Sequence, residues 1–396
     1  MGKLVINQEK ILNIDELIKI CPFGAMENNQ GRLEINSACK MCKLCVKKGP
    51  KGAVTFQEEN IKSIDKSKWK GIAVYVDHVE GNIHPVTFEL IGKAKELSEK
   101  VNQPVFALFM GYGISGSAQE LLHYGVDEVF VYDDENLKDF RIEPYTAVFE
   151  DFINNVKPTA VLVGATAIGR SLAPRVAARF RTGLTADCTI LDIKENTDLV
   201  QIRPAFGGNI MAQIVTPNSR PQLATVRYKV MNAPERSGEA HGKVNHCTIK
   251  EEKLSSGINV FKVIAKEKES GIADAEVIVV AGRGIKSQKD LAMAQELAEI
   301  LGGQVAATRP LIEAGWEDAK KQIGLSGRTV RPRLIITLGV SGAVQFTAGM
   351  NNSDYIFAIN KDEKAPIFKV AHYGIVGDIY EIVPQLIEAL RAEREE

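Results

Sequence analysis

The sequence predicts an α/β protein: two doubly wound parallel-sheet domains preceded by a small α+β domain rich in cysteine. Three observations predict it. Four of the six cysteines fall within the first 45 residues. From residue 71 onward, short apolar runs alternate with helical patterns, as strands of a parallel sheet do when crossover helices separate them. That alternation lapses after residue 187 and restarts at 276, which calls for two sheets. At 396 residues, 45% hydrophobic and 25% charged, the chain is too long for one ordinary core and has a globular composition.

Charge and termini exclude several classes of function. Lys and Arg number 49 against 50 Asp and Glu, a formal charge of -1, so no broad basic field exists to hold a phosphate backbone and no nucleic acid partner is expected. The start, MGKLVINQEK, lacks a signal-peptide core, and Ile6 stands where a myristoylation signal needs Ser or Thr. No apolar run approaches the roughly 20 residues that span a bilayer, so a cytoplasmic location without membrane insertion is expected. In a reducing compartment the cysteines read as metal ligands or buried thiols.

The first element is a cysteine cluster over residues 1–65. Cys39, Cys42 and Cys45 are spaced C-x2-C-x2-C, the opening of the bacterial ferredoxin run C-x2-C-x2-C-x3-C-P. The fourth position holds Gly49, followed by Pro50. Gly49-Pro50-Lys51-Gly52-Ala53 echoes Cys21-Pro22-Phe23-Gly24-Ala25, 28 residues earlier, so the region reads as two copies of one motif. In a two-cluster ferredoxin the fourth cysteine of each run ligates the other cluster. Three ligands of one copy and the crossing ligand Cys21 of the other make one complete four-thiolate site. The expectation is a ferredoxin-like domain with a 4Fe-4S cluster on Cys21, Cys39, Cys42 and Cys45; a structural zinc site is the alternative. Cys188 and Cys247 stand apart from any ligand pattern and read as buried thiols.

Residues 57–70 are polar and read as a linker. In the domain at 66–255, strands are expected at 71–76, 105–110, 128–132 and 160–164, and helices at 86–100, 115–124, 143–156 and 169–180. The runs CTILDI, DLVQIRP, IMAQIVT and QLATVRY, with a turn signal at Gly207-Gly208-Asn209, predict an antiparallel extension. Residues 231–256 are turn-rich without a long periodic stretch, and a boundary is expected at about 255–270. In the domain at 256–396, strands are expected at 276–280, 304–307, 334–338, 356–359 and 367–370, and helices at 288–301, 342–350 and 379–392.

Ligands of open parallel sheets bind beyond the carboxyl ends of the strands. Two such ends in the last domain suit an anion. Val280-Ala281-Gly282-Arg283-Gly284-Ile285 turns tightly toward Ser287 and a helix, bringing backbone N–H groups, a guanidinium and a hydroxyl together. Leu338-Gly339-Val340-Ser341-Gly342-Ala343 repeats the small-residue turn. Two such turns on one sheet predict a dinucleotide-sized ligand.

The stretch RPRLIITLGVSGAVQFTAGMNNSDYIFAINKD (331–362), followed by APIFKVAHYGIVGD (365–378), resembles the FAD domain of electron transfer flavoprotein alpha subunits. The resemblance is dense over 276–390 and continues more weakly over 71–230. It implies a Rossmann-like FAD domain, and a cluster-bearing head like that of electron-bifurcating members from anaerobes. Carried over by position, it implies that Arg283 meets the pyrophosphate, that Thr308 and Arg309 meet the cofactor with Arg309 near the isoalloxazine, and that Ile323, Gly324, Leu325 and Ser326 run along the ring, the Ser326 hydroxyl near N5. Ser341, Gly342, Ala343, Val344, Gln345 and Phe346 cover the pyrimidine side and ribityl chain, and Asn360 and Asp378 hold the adenosine. The sequence departs from familiar relatives at Phe346, where some have His, and at Leu325, where they have Gln. Phe346 has no hydrogen bond to offer a reduced, negatively charged ring.

The resemblance further implies electron carriage as the redox subunit of an oxidoreductase complex, with no catalytic acid, base or nucleophile of its own. The implied partners are an electron transfer flavoprotein beta subunit whose flavin is fed by NADH, a ferredoxin and a flavin-dependent dehydrogenase, in flavin-based electron bifurcation. The alternative is a non-bifurcating carrier of single electrons.

Overall fold

The computed structural model describes residues 2–36, 38–58, 64–205, 210–264 and 271–395. The chain forms two compact units, Met1–Ile64 and Asp65–Glu396. In the first, strands Gly2–Ile6 and Val54–Glu58 pair antiparallel, and Met26–Asn29 with Arg32–Ile35 makes a hairpin. Helix Ile14–Ile20 starts at Asn13, whose side chain accepts from the N–H groups of Asp15 and Glu16 and so satisfies two donors of the first turn. A second helix, Leu44–Lys48, is little more than one turn. Leu17, Met26, Leu33, Cys45, Ala53 and Val54 form the buried core between them.

The second unit holds two parallel sheets. Seven parallel strands form the first, in the order Leu184–Cys188, Gln222–Val226, Ala160–Gly164, Ile72–Tyr75, Val105–Gly111, Glu128–Asp133, Lys243–His246. Its central strands are buried on both faces, which is why they read as unbroken apolar runs. Helix Pro85–Val101 packs over one face, while Ile142–Val156 and Ala167–Phe180 cover the other.

Only three of the four runs expected to form the antiparallel extension do so: Ile190–Ile193, Leu199–Ala205 and Ile210–Ile214. The fourth, Gln222–Val226, lies parallel inside the main sheet, and all five of its residues are buried. A strand shielded on both faces has no reason to alternate, so periodicity alone could not separate it from its neighbours. The expected turn at 207–209 lies outside the described residues, as do 59–63 of the linker and 265–270 of the expected boundary. Lys243–His246, an edge strand of four residues, was not anticipated in the turn-rich stretch 231–256. The helix expected at 115–124 is broken into three short turns, Ser115–Ser117, Ala118–Leu121 and Leu122–Tyr124.

The second sheet orders its five parallel strands Gln304–Ala307, Val277–Ala281, Leu334–Leu338, Tyr355–Asn360, Tyr373–Val376. Helices Leu291–Ile300 and Ile379–Glu395 cover one face of it. The strand expected at 367–370 is instead a 3-10 turn, Pro366–Lys369, and the edge strand begins at Tyr373. Pro366 fixes its own backbone for a turn, and the Ile367 N–H is taken by the Ser341 carbonyl, so neither can join a ladder. The helix expected at 342–350 contracts to Val344–Thr347. Among the described residues no helix is long and apolar enough to cross a membrane.

Candidate functional site

The chain enters the second sheet on Val277–Ala281, the second strand in its order. It then crosses to one side for Gln304–Ala307 and to the other for Leu334–Leu338. Where the crossing direction reverses, two strand-to-helix turns diverge and leave a crevice beyond the strand ends. Backbone contact is unusually close at its floor. Gly282 N–H donates to the Leu338 carbonyl at 2.9 Å and Gly284 N–H to the Gly339 carbonyl at 3.0 Å. A Cβ on Gly339, whose φ is +61°, would lie 2.6 Å from the Gly284 Cα, so neither residue can carry a side chain without moving the other turn.

Above this floor opens a cavity of about 750 Å³, within the range of cofactor sites. Every residue expected to contact the cofactor lines it except Gly342, Val344 and Asp378. Gly342, at φ +83°, presses on Ile367: a Cβ there would sit 2.2 Å from the Ile367 nitrogen, so its role is to let the backbone turn. Val344 is exposed outside the cavity lining, because the short helix turns it outward. Asp378 lines a smaller cavity of about 60 Å³ that shares Gly284, Lys286, Gly339, Asn360 and Lys361 with the large one, so the two form one elongated site. Ser287 lines neither. Its N–H donates to Asp290 Oδ2 at 3.0 Å in the cap of the following helix.

One long wall is the tight loop from Gln322 to Arg328. Gly324 N–H donates to the Arg328 carbonyl and Leu325 N–H to the Gln345 carbonyl at 2.8 Å, while the Arg227 guanidinium holds the Leu325 carbonyl from the seven-stranded sheet at 2.9 Å. Thr308 is buried, its N–H given to the Ala281 carbonyl, and Arg309 pairs with Glu313 at 2.7 Å on an exposed helical turn. Phe346 is buried against the inner wall. Asn360 donates to the Val340 carbonyl at 2.8 Å and accepts from Asp362 N–H, tying two strand ends together. Lys286 and Lys361 were missed by sequence reasoning although each lies next to a flagged position. With Arg283 and Arg309 they give the site a cationic rim. Such a rim suits a pyrophosphate, and the small polar and apolar lining suits a ring system beside it.

In the first unit, Cys21, Cys39, Cys42 and Cys45 all line one small cavity, with Phe23, Ala25, Met26 and Ile35 around them. Backbone amides already point at the sulfurs: Ala25 N–H donates to Cys21 Sγ at 3.3 Å and Met41 N–H to Cys39 Sγ at 3.4 Å. Burial pushes the Cys45 thiol above its ordinary value. Among the described residues no group of three or more His, Cys, Asp and Glu is gathered closely enough to hold a metal ion. Four thiols around one space are soft ligands of the kind that both an iron–sulfur cluster and zinc take.

Gly49 cannot supply a further thiolate, since a Cβ there would lie 2.5 Å from the Cys45 carbonyl oxygen and 2.7 Å from Leu17. Ile11, Ile14 and Leu17, standing 28 residues before the three clustered cysteines, belong to the apolar core of this unit. Cys188 is buried and its thiol is pushed up to about 12 by that burial, whereas Cys247 is only half-buried.

Two family models match the chain: the electron transfer flavoprotein domain over residues 72–252, and the electron transfer flavoprotein FAD-binding domain over residues 271–351. The chain is 64% identical over 373 residues to the lactate dehydrogenase (NAD(+),ferredoxin) subunit LctC of Acetobacterium woodii, covering 94% of this chain and 89% of that one. It is 44% identical over 338 residues to the electron transfer flavoprotein subunit alpha of Megasphaera elsdenii, covering 84% and 99%. It is 39% identical over 360 residues to the acryloyl-CoA reductase electron transfer subunit beta of Anaerotignum propionicum, covering 83% and 98%. The match to the Acetobacterium subunit leaves about 6% of this chain uncovered, fewer residues than Met1–Ile64 contains, so it reaches into the cysteine-bearing unit.

Proposed function

Because the chain belongs to the electron transfer flavoprotein alpha-subunit family, we propose that it is the redox subunit of an oxidoreductase complex, holding FAD in the cavity of its five-stranded domain and a 4Fe-4S cluster on Cys21, Cys39, Cys42 and Cys45. The domains under this reading are a ferredoxin-like head over 1–65, an α/β domain over 66–255 that pairs with a beta subunit, and the FAD domain over 256–396. The partners are that beta subunit with an NADH-fed flavin, a ferredoxin and a flavin-dependent dehydrogenase, in flavin-based bifurcation. The observation that carries the reading is the presence, in one chain, of a nucleotide-length cavity and a four-cysteine cavity.

When bound, the two cofactors supply reversible electron storage and a low-potential relay. The chain's own residues bind, orient and tune. Arg283, Lys286 and Lys361 are placed for a pyrophosphate, and the Gly282–Gly284 turn lets backbone approach it closely. Asn360 and Asp378 face the narrow end, where an adenosine fits. Arg309 puts one positive charge beside the wide end and favours negative charge arriving on a ring there. Phe346 offers that end only an apolar surface. At the head, backbone N–H groups aimed at sulfur stabilise thiolate ligands.

The name of the Acetobacterium relative joins NAD and ferredoxin, which favours bifurcation over plain carriage. Chain purified anaerobically with its beta subunit is expected to contain one acid-released FAD for each chain in this cavity and about four iron and four sulfide. Released cofactor that is FMN, or protein without sulfide, overturns the assignment. Ferredoxin reduction by NADH only in the presence of the dehydrogenase's acceptor separates bifurcation from plain one-electron carriage.

A further inference from the structure

Gln322 lies at the base of the loop that forms one long wall of the cavity. It is buried, 8% exposed, and its backbone is pinned on both sides: Ala307 bridges to it from the adjacent strand, and its carbonyl accepts the Arg328 N–H at 2.8 Å. Gly327 packs so tightly on it that a Cβ there would meet the Gln322 carbonyl oxygen at 2.3 Å. From this fixed base the side-chain Nε2 reaches four residues along and donates to the Ser326 hydroxyl oxygen at 2.8 Å. Ser326 sits at the exposed tip of the loop on the cavity wall.

A serine hydroxyl has one proton and two lone pairs. With one lone pair occupied by the amide, the proton cannot point at Gln322. Among the described residues no protein acceptor is found for it, and Ser326 lines the cavity. We propose that Gln322 is a positioning residue: its amide locks the Ser326 hydroxyl in one polarity, with the O–H aimed into the cavity as a hydrogen-bond donor to the bound flavin. This rests on the flavin reading of the cavity. The reverse amide orientation has the opposite consequence, since Ser326 would then donate to Gln322 and show the ring only a lone pair. A donor aimed at the ring becomes stronger as the ring gains electron density, so the locked polarity raises the potential for reduction.

The experiment is a double-mutant cycle on the complete flavin-loaded complex, with Gln322→Glu, Ser326→Ala and the pair together. Midpoint potential and visible absorption of the flavin are the readouts. A carboxylate at 322 can only accept, so it turns the Ser326 proton away from the ring. The expected result is a lowered potential in Ser326→Ala, and a fall on Gln322→Glu that is larger in the parent than in the Ser326→Ala background, where only the added charge acts. Equal falls in both backgrounds overturn the proposal while leaving the flavin reading intact. Parent-like potential and spectrum in Ser326→Ala overturn the placement of Ser326 at the ring, and the proposal with it. Gln322→Met, neutral and of similar length, repeats the test without added charge. It should lower the potential in the parent and leave the Ser326→Ala background unmoved, and any other pattern overturns the lock. A rise in potential on Gln322→Met in the parent identifies the reverse amide polarity.

Discussion

Arg309 opens the short helix after Gln304–Ala307, and its Nε donates to Glu313 with both side chains mostly exposed. An exposed pair of this kind is worth under about 1 kcal/mol, so it cannot hold the guanidinium away from a ligand entering the cavity. Two opposite shifts are expected in redox titrations followed by absorbance: Arg309→Ala lowers the first flavin potential, and Glu313→Gln raises it slightly by removing the competing charge. Arg309→Lys should recover only part of the loss, since an ammonium lacks the planar fork. Cys21 supports a sharper expectation. It caps helix Ile14–Ile20 and is far in sequence from the other three thiols, yet it lines the same cavity. Cys21→Ala should abolish or degrade the cluster, measured as iron and sulfide per chain, with flavin content unchanged. The identities of single residues were the most legible layer of the sequence, because thiols, glycines and cations at strand ends have few other uses. What stayed hidden was direction. Gly342 and Val344 share the Ser341–Phe346 run with true lining residues, but Gly342 packs on Ile367 and the one-turn helix faces Val344 outward, and spacing carries no record of either.

At the scale of elements, the crevice exists because two turns cross with no side chain between them. Gly339→Ala adds a Cβ 2.6 Å from the Gly284 Cα at a position of positive φ, a combination expected to cost on the order of 3 kcal/mol and to lower FAD affinity as the turns separate. Gel filtration with retained flavin at wild-type stoichiometry and an unchanged melting temperature would refute it. Helix Pro85–Val101 carries a second testable feature. Glu89 is nearly buried there, and its carboxylate accepts the Lys229 N–H at 2.9 and 3.1 Å. Burial dominates the neighbouring N–H groups and pushes its carboxyl up from 4.5 to about 7. Between those values the folded chain keeps a proton that the unfolded chain has released, so stability falls as pH rises through this window and the loss is complete above it. Replacing Glu89 by Gln should flatten that slope, by on the order of 2–3 kcal/mol across the window, in denaturant melts compared at pH 5 and pH 8. Element types were legible wherever periodicity had length to work on, as in the three long helices of the seven-stranded domain. They were not where burial on both faces erased alternation, at Gln222–Val226, or where one proline redirected the chain, at Pro366.

At the scale of the whole molecule, Met1–Ile64 and Asp65–Glu396 differ in how they can be stable. The larger unit has two parallel sheets, each with apolar clusters on both faces. Among the described residues the smaller has seven buried apolar side chains, and one of them is the ligand candidate Cys45. A core of that size leaves a unit of this length marginal unless something staples it. Ile11, Ile14 and Leu17 stand where a first copy of the motif would carry cysteines, and all three pack into the core; the gap was legible in the sequence, its filling was not. Ligand bonds to a metal centre are folding free energy when the site does not exist in the unfolded chain. The head should therefore fold with its cluster and loosen without it, while the rest of the chain is indifferent. Calorimetry of the full chain should show two transitions, of which the one belonging to the head disappears when iron is removed by a chelator and in Cys21→Ala. Chain beginning at Asp65 should retain FAD, contain no iron and melt in the remaining transition at its original temperature. If that shortened chain fails to bind flavin, or if iron removal shifts both transitions together, the two units are thermodynamically one, and the cluster stabilises the entire subunit instead of its own fold.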